Sequence, residues 1–189
     1  ARACALTSKP VANSDAQAVW SRYLARGGSF SQMKDLPDLL PALSGGRART
    51  QNETVLIDGM FGIGLKRPLE ADAARAAQLT HRLDSPVIAI DVPSGLNADT
   101  GAKLGGERSA AVKASHTITL IANKPGLHTG QGRALTGTVS VRTLGTEAIA
   151  PSGLSIDRQW VSTRLRTRLT NSHKGTFGTV GILGGAPSM

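Results

Sequence analysis

Two acids in this chain each close a short apolar run and are followed at once by a glycine-bearing loop. Asp58 follows Val55-Leu56-Ile57 and opens Gly59-Met60-Phe61-Gly62-Ile63-Gly64-Leu65-Lys66-Arg67-Pro68. Asp91 follows Val87-Ile88-Ala89-Ile90 and opens Val92-Pro93-Ser94-Gly95-Leu96-Asn97-Ala98-Asp99-Thr100-Gly101. Apolar runs of this length bounded by turn residues read as buried strands. The pattern therefore predicts two carboxylates at the carboxyl ends of parallel strands, where open α/β sheets bind ligands.

The chemistry open to these residues divides by type. Asp58, Ser94 and nearby main-chain carbonyls are hard oxygen donors, suited to an alkali or alkaline-earth cation rather than a thiophilic metal. In the first loop, Gly62 and Gly64 let the backbone approach a ligand, and their N–H groups can cradle a phosphate beside Lys66 or Arg67. A carboxylate at a strand end in an apolar crevice has its pKa raised by desolvation, which makes Asp91 the candidate for proton transfer. Each residue also has a plainer reading: turn glycines serving φ > 0, Asp58 as a helix cap, Ser94 as a turn hydroxyl, Asp91 as an Asx-turn acceptor. Lys124 follows a strand end on the same side and can reach a phosphate, although a solvated lysine is the simpler account. His116 reads as a strand-end histidine, His128 lies in a glycine-rich loop, and Cys4 has no activating neighbour.

The elements that hold these residues follow from periodicity. Ala1 to Leu6 reads as the tail of a strand. Ala16, Val19, Trp20, Tyr23 and Leu24 recur at helical spacing after Ser14 and Gln17, which form a capping box, and before a stop at Gly27-Gly28. Residues 29 to 50 read as a loop with a short helix. Strands are expected near 54 to 58 and 86 to 91, joined by a helix from Glu70 to Leu83 with Ala73, Ala74 and Ala77 inward, as a right-handed parallel crossover. A short helix over 108 to 114 precedes strands at 117 to 122 and 138 to 144. Residues 145 to 172 read as a connector, and 179 to 183 as a strand leading to a glycine-rich turn.

Composition narrows the class. The chain has 189 residues, of which 40% are apolar, 3% aromatic and 22 are glycine, which suits an aliphatic-cored α/β protein. No apolar run is long enough for a membrane span. One cysteine forms no internal disulfide, so a cytoplasmic location is expected. The formal charge of +9 raises nucleic acid as a partner. Much of the excess sits at Arg158, Arg164, Arg166, Arg168 and Lys174, however, in one connector, while acids and bases are interspersed elsewhere, and no nucleic-acid role is expected.

Taken together, Ile57 to Leu65, Ala89 to Gly101, and Lys124-Pro125-Gly126-Leu127 with Thr129-Gly130 resemble, in order, the motifs of the NAD(P)H-hydrate epimerase domain, also called the YjeF N-terminal domain. The tail from His173-Lys174-Gly175 through Phe177-Gly178 to Gly184-Gly185-Ala186-Pro187 is similar to the opening of the ADP/ATP-dependent NAD(P)H-hydrate dehydratase domain. The resemblance implies a Rossmann-like three-layer parallel sheet over 1–145 that lacks its N-terminal part, a linker over 146–170, and the start of a ribokinase-like domain over 171–189. The family's early Gly-Asn-Asn-Gly-Gly-Asp-Gly loop has no counterpart here and is expected upstream.

The resemblance also implies an activity, the interconversion of the R and S forms of hydrated NADH and NADPH at ring carbon 6. It assigns Asp58 and Ser94 as potassium ligands, and Gly62, Ile63, Gly64, Leu65, Lys66, Arg67 and Pro68 as substrate-binding. Asp91 is then both a substrate contact and the catalytic residue. ADP or ATP with magnesium would serve the dehydratase, and a homo-oligomer is expected. The competing expectation is a non-catalytic dinucleotide-binding or scaffold module of the same fold.

Overall fold

The computed structural model describes residues 2–5, 14–36, 55–82, 84–146, 153–165, 170–177, 179 and 181. The chain divides into two compact units, Ala1–Ile149 and Ala150–Met189.

In the first unit, β1 (Arg2–Ala5) pairs in parallel with β2 (Ser29–Gln32), in register Arg2↔Ser29 to Ala5↔Gln32. The intervening α1 (Ser14–Ala25) ends at Gly27, whose φ of 76° is left-handed. Its aromatic side lies on β2: Trp20 meets Phe30 edge-on at 4.9 Å, and the Tyr23 hydroxyl donates to the Ser29 carbonyl at 2.6 Å. β2 corrects the reading of residue 29 onward as loop. Four residues with one large apolar side chain give no visible alternation, and the strand is fixed by its pairing partner rather than by its own pattern.

The second sheet holds β3 (Leu56–Asp58), β4 (Val87–Ile90), β5 (His116–Leu120) and β6 (Thr138–Arg142), in that order and all parallel. With its helices this makes the protein α/β, as composition and motif order predict. β4 is buried at Val87 and Ala89, but β3, an outermost strand of this sheet among the described residues, departs from the buried-strand expectation: Ile57 is 70% exposed. The two-residue strand period turns Leu56 toward the core and Ile57 away from it.

α2 (Ala71–Thr80) crosses from β3 to β4 on buried Ala73, Ala76 and Ala77. Small residues let the helix lie close against Leu69, Val87 and Val112. Leu83, expected at its end, lies outside the described residues.

No helix forms over 108 to 114. There the chain is irregular and its backbone donors are spent elsewhere: Val112 on Ser94, Ala114 on Leu135, and Lys113 on the Thr80 hydroxyl. The reason lies in packing. Ala110 and Val112 belong to the core of Leu69, Ala73, Ala77 and Val87, whereas Ala111 belongs to a second core of Val92, Leu96, Leu127 and Leu135. A non-helical segment can send successive side chains into two cores at once, which one face of a helix cannot.

A 3-10 turn (Pro125–Leu127) and α3 (Gly132–Leu135) link β5 to β6. In the second unit, the expected connector contains α4 (Arg158–Ser162), capped by Asp157, whose carboxylate accepts from Trp160 N–H at 2.7 Å. The Arg164 guanidinium covers the Trp160 ring at 3.8 Å. Five residues are too few for a helical period to appear in the sequence, so the cap carries the signal. A 3-10 turn follows at Lys174–Phe177, and nearly all of the strand and turn expected beyond it lie outside the described residues. Among the described residues, no helix is long and apolar enough to cross a membrane.

Candidate functional site

Asp58 is the last residue of β3 and is 6% exposed. Ser94 clasps it twice: the Ser94 N–H donates to Oδ2 at 2.8 Å and the hydroxyl to Oδ1 at 2.7 Å. Met60 N–H also reaches Oδ1, at 3.3 Å. The same hydroxyl accepts from Phe61 N–H at 3.0 Å and lies 3.2 Å from the Phe61 carbonyl oxygen. Burial raises the Asp58 pKa, outweighing the hydrogen bonds from Ser94 and Met60 that act to lower it.

Among the described residues, no basic side chain pairs with Asp58. A desolvated carboxylate without a cationic partner, beside Ser94 Oγ and the Phe61 carbonyl, makes a group of hard oxygens that fits a potassium-class cation. Neither a helix cap nor a simple turn hydroxyl describes the Asp58–Ser94 pair.

Asp91 follows β4 directly, with φ 71°. Val92 N–H donates back to the Ile90 carbonyl at 3.0 Å, so Asp91 is the centre of a γ-turn. That kink leaves its carboxylate between the first loop and the segment after β5. Lys124 Nζ meets Oδ1 at 2.6 Å, Leu120 N–H approaches Oδ1 at 3.4 Å, and Ile63 N–H donates to Oδ2 at 3.3 Å.

The expected rise in the Asp91 pKa does not occur. Desolvation does push it upward, but the Lys124 hydrogen bond, the Ile63 amide and the lysine charge together bring it below the ordinary carboxylate value. Lys124 departs from the solvated reading as well, since its side chain is only 15% exposed. The partners, Asp91 and Lys124, are 33 residues apart, which is why neither state is legible locally.

The first loop is held from outside. Phe61 N–H is tied to Ser94 Oγ and Ile63 N–H to Asp91 Oδ2, while Leu65 N–H turns back within the loop to the Gly62 carbonyl. The alternate amides of Gly62 and Gly64 have no protein acceptor among the described residues. Neither glycine has positive φ, so that explanation of them fails. Gly62 is small because a Cβ there would come within 2.9 Å of Asp91 Oδ2, and Gly64 faces open space.

A cavity of about 200 Å³ lies between the loops. It is lined by Ile63, Leu65 and Lys66 from the first loop, Asn97, Ala98 and Asp99 from the second, and Lys124. Asp91 stands against two of these walls, Ile63 and Lys124, with its side chain 16% exposed. Arg67 instead points to Glu70, at 3.6 Å on the open surface, and Pro68 lies beside Gly105. His116 opens β5 at the opposite end of the sheet from the acids, and His128 bonds to Asn123 at 2.8 Å.

A parallel α/β sheet with acids, glycine amides and a small cavity at its carboxyl ends belongs to the class of crevice-binding α/β proteins. Within that class, the family described as YjeF-related protein N-terminus matches residues 1–126, and the chain belongs to that family. The bifunctional NAD(P)H-hydrate repair enzyme Nnr of Vibrio cholerae is 36% identical over 193 residues, covering 91% of this chain and 38% of that protein. The Escherichia coli protein of the same name is 36% identical over 135 residues, 69% of this chain and 25% of its own length. The NAD(P)H-hydrate epimerase of Limosilactobacillus fermentum is 45% identical over 94 residues, 50% of this chain and 43% of its own. The chain thus spans between a quarter and somewhat over two fifths of the length of these curated relatives.

Proposed function

We propose that this chain carries the NAD(P)H-hydrate epimerase site, interconverting the R and S forms of the hydrated coenzyme at ring carbon 6. The observation that carries the proposal is that the Asp58–Ser94 pair and Asp91 both bond to the first glycine loop, with Asp91 held against Ile63 and Lys124 of the cavity wall, in a chain similar to proteins named for that activity.

A carbon that bears both a hydroxyl and a ring nitrogen inverts when one of those two bonds opens and re-forms on the other face. Either path needs a group that takes one proton and returns it. Asp91, ionised at neutral pH, is poised to take it. The Gly62 and Gly64 amides donate to the pyrophosphate, with Ile63, Leu65 and Lys66 forming the wall beside it. Arg67 and Pro68 complete the segment from the outer side.

Asp58 and Ser94 would hold a potassium ion. Such an ion supplies fixed positive charge for phosphate or substrate oxygens and offsets the buried carboxylate. In the protein as a whole, this domain (1–145) would be followed by a linker (146–170) and, from 171, by the start of a ribokinase-like dehydratase using ADP or ATP with magnesium. A cytoplasmic homo-oligomer that binds no nucleic acid completes the proposal.

The test is direct. A purified single epimer of hydrated NADPH, incubated with the protein in potassium buffer and followed chromatographically, should relax to the epimer mixture faster than the uncatalysed reaction. Asp91→Asn should slow that relaxation at least about 100-fold. Tight calorimetric binding of NADP(H) without turnover would leave a binding module instead.

A further inference from the structure

Lys124 lies outside the acid loops, yet its ammonium is the most fully engaged group in the site. Its three hydrogens have three acceptors: Asp91 Oδ1 at 2.6 Å, Thr119 Oγ1 at 2.7 Å and the Leu120 carbonyl at 2.7 Å. An ammonium has three donors, so none remains for a ligand phosphate. Thr119 is fully buried and Leu120 ends β5, so two of the three anchors belong to the rigid sheet.

The backbone that returns Lys124 to its own strand is strained. Ile121 has φ 67°, and Ala122 N–H donates to the Leu120 carbonyl at 2.8 Å, a second γ-turn matching the one at Asp91 on the neighbouring strand. A β-branched residue at positive φ is a costly outlier that persists only where surrounding contacts enforce it. Here it brings the lysine back over the end of β5 and onto Asp91.

The two carboxylate oxygens are consequently unequal. Oδ1 is occupied by Nζ and the Leu120 amide, whereas Oδ2 has a single long bond to Ile63 N–H and faces Gly62, the one glycine of that loop at which a Cβ would collide with it. We infer that Lys124 is a positioning residue of the proposed reaction, anchoring Asp91 through Oδ1 so that Oδ2 is the oxygen presented to the substrate. This inference rests on the epimerase reading for its consequence, although not for its geometry. The other charged groups at the cavity are Lys66 and Asp99, one from each loop. Asp58 is bonded to Ser94 and Met60 rather than to Asp91.

The experiment pairs two readouts on the intact chain, for the wild type, Lys124→Met and Lys124→Arg. Carbon-13 titration of the Asp91 carboxyl should show its midpoint rising by about 1–3 pH units in Lys124→Met, the usual effect of losing an adjacent opposite charge, and returning most of the way in Lys124→Arg. The acidic limb of kcat/KM should move up with it. At the optimum, kcat should fall at least about tenfold with KM within a factor of about three, since the substrate's own contacts are kept. An unmoved Asp91 titration in Lys124→Met overturns the anchoring. A raised KM with kcat unchanged would overturn it too, and would make Lys124 a direct ligand contact. A wild-type protein that does not epimerise would overturn the reading of function instead, with the Asp91 titration still deciding the anchor.

Discussion

The two acid loops look alike in sequence and are built in opposite ways. Residues 92 to 96 of the second loop are all buried, and Gly101 has φ 71° with its amide on the Asn97 carbonyl. In the first loop, Ile63, Gly64, Lys66 and Arg67 are exposed, and the outside contacts holding its amides are the side chains of Ser94 and Asp91. One loop is a rigid template and the other is draped on it. The division suits a site in which the proton-handling group must be fixed within tenths of an ångström while the segment that grips the substrate keeps donors to spare.

The largest effect should come from breaking the template. Gly126 is buried, and a Cβ there would overlap the carbonyl of Asn97 and the backbone of Ala98, neither of which is a flexible tip. Gly126→Ala should destabilise the unit by about 3 kcal/mol or more, read as a lowered urea midpoint. A loss below about 1 kcal/mol would mean that the second loop has slack and the contrast is wrong.

A smaller, purely functional effect should come from the seam between the loops. In Gly62→Ala the new methyl meets Asp91 Oδ2 at 2.9 Å, and the carboxylate must turn by a few tenths of an ångström. Epimerisation should drop about 10- to 100-fold with the urea midpoint little changed. Equal losses in stability and rate would show that the seam is part of the template.

The two acids sharpen the comparison through pH. Asp58 has a raised folded pKa, so the folded chain holds that proton more tightly than the unfolded chain does. Its ionisation therefore costs stability above the folded pKa, and the cost fades as pH falls through that value. Asp91 has a lowered folded pKa and acts in the other direction. It contributes stability above the unfolded value, which is lost as pH falls through the folded one.

A cation at Asp58 should remove the first cost. Potassium at about ten times its dissociation constant should add about 1.4 kcal/mol at neutral pH relative to choline, and less near pH 4. Asp58→Asn should abolish the difference. Equal melting temperatures in potassium and choline at every pH would take the ion away from Asp58.

How much of this was legible in the sequence follows from the range of the interactions. The carboxyl-end placement of both acids was readable because a strand run, an acid and a glycine loop are contiguous. The α1 and α2 spans were readable because an amphipathic period repeats over three turns or so. What failed was non-local. β2 exists through β1, the 110–112 segment is not helical because two cores share its side chains, and Asp91 is held ionised by a lysine from beyond the next strand. That a side chain at Gly62 would meet the Asp91 carboxylate is equally non-local. A lysine four residues past the end of β5 is the one local hint of Lys124, and local pattern alone does not say which carboxylate it finds.

The smallest effect belongs to the freest part of the draped loop. Gly64 lies outside the left-handed region, and a Cβ there would meet no atom within 4 Å. Gly64→Ala should therefore leave stability within about 0.5 kcal/mol, the ordinary range for surface substitutions. If the Gly64 amide faces a bound pyrophosphate, the added methyl narrows the approach, and KM for the hydrated coenzyme should rise a fewfold with kcat kept. The sign pattern separates the two loops: a change of stability without KM marks the template, and a change of KM without stability marks the grip. Should Gly64→Ala unfold the chain as Gly126→Ala is expected to, the first loop would be template as well, and the division of labour between the loops would have to be abandoned.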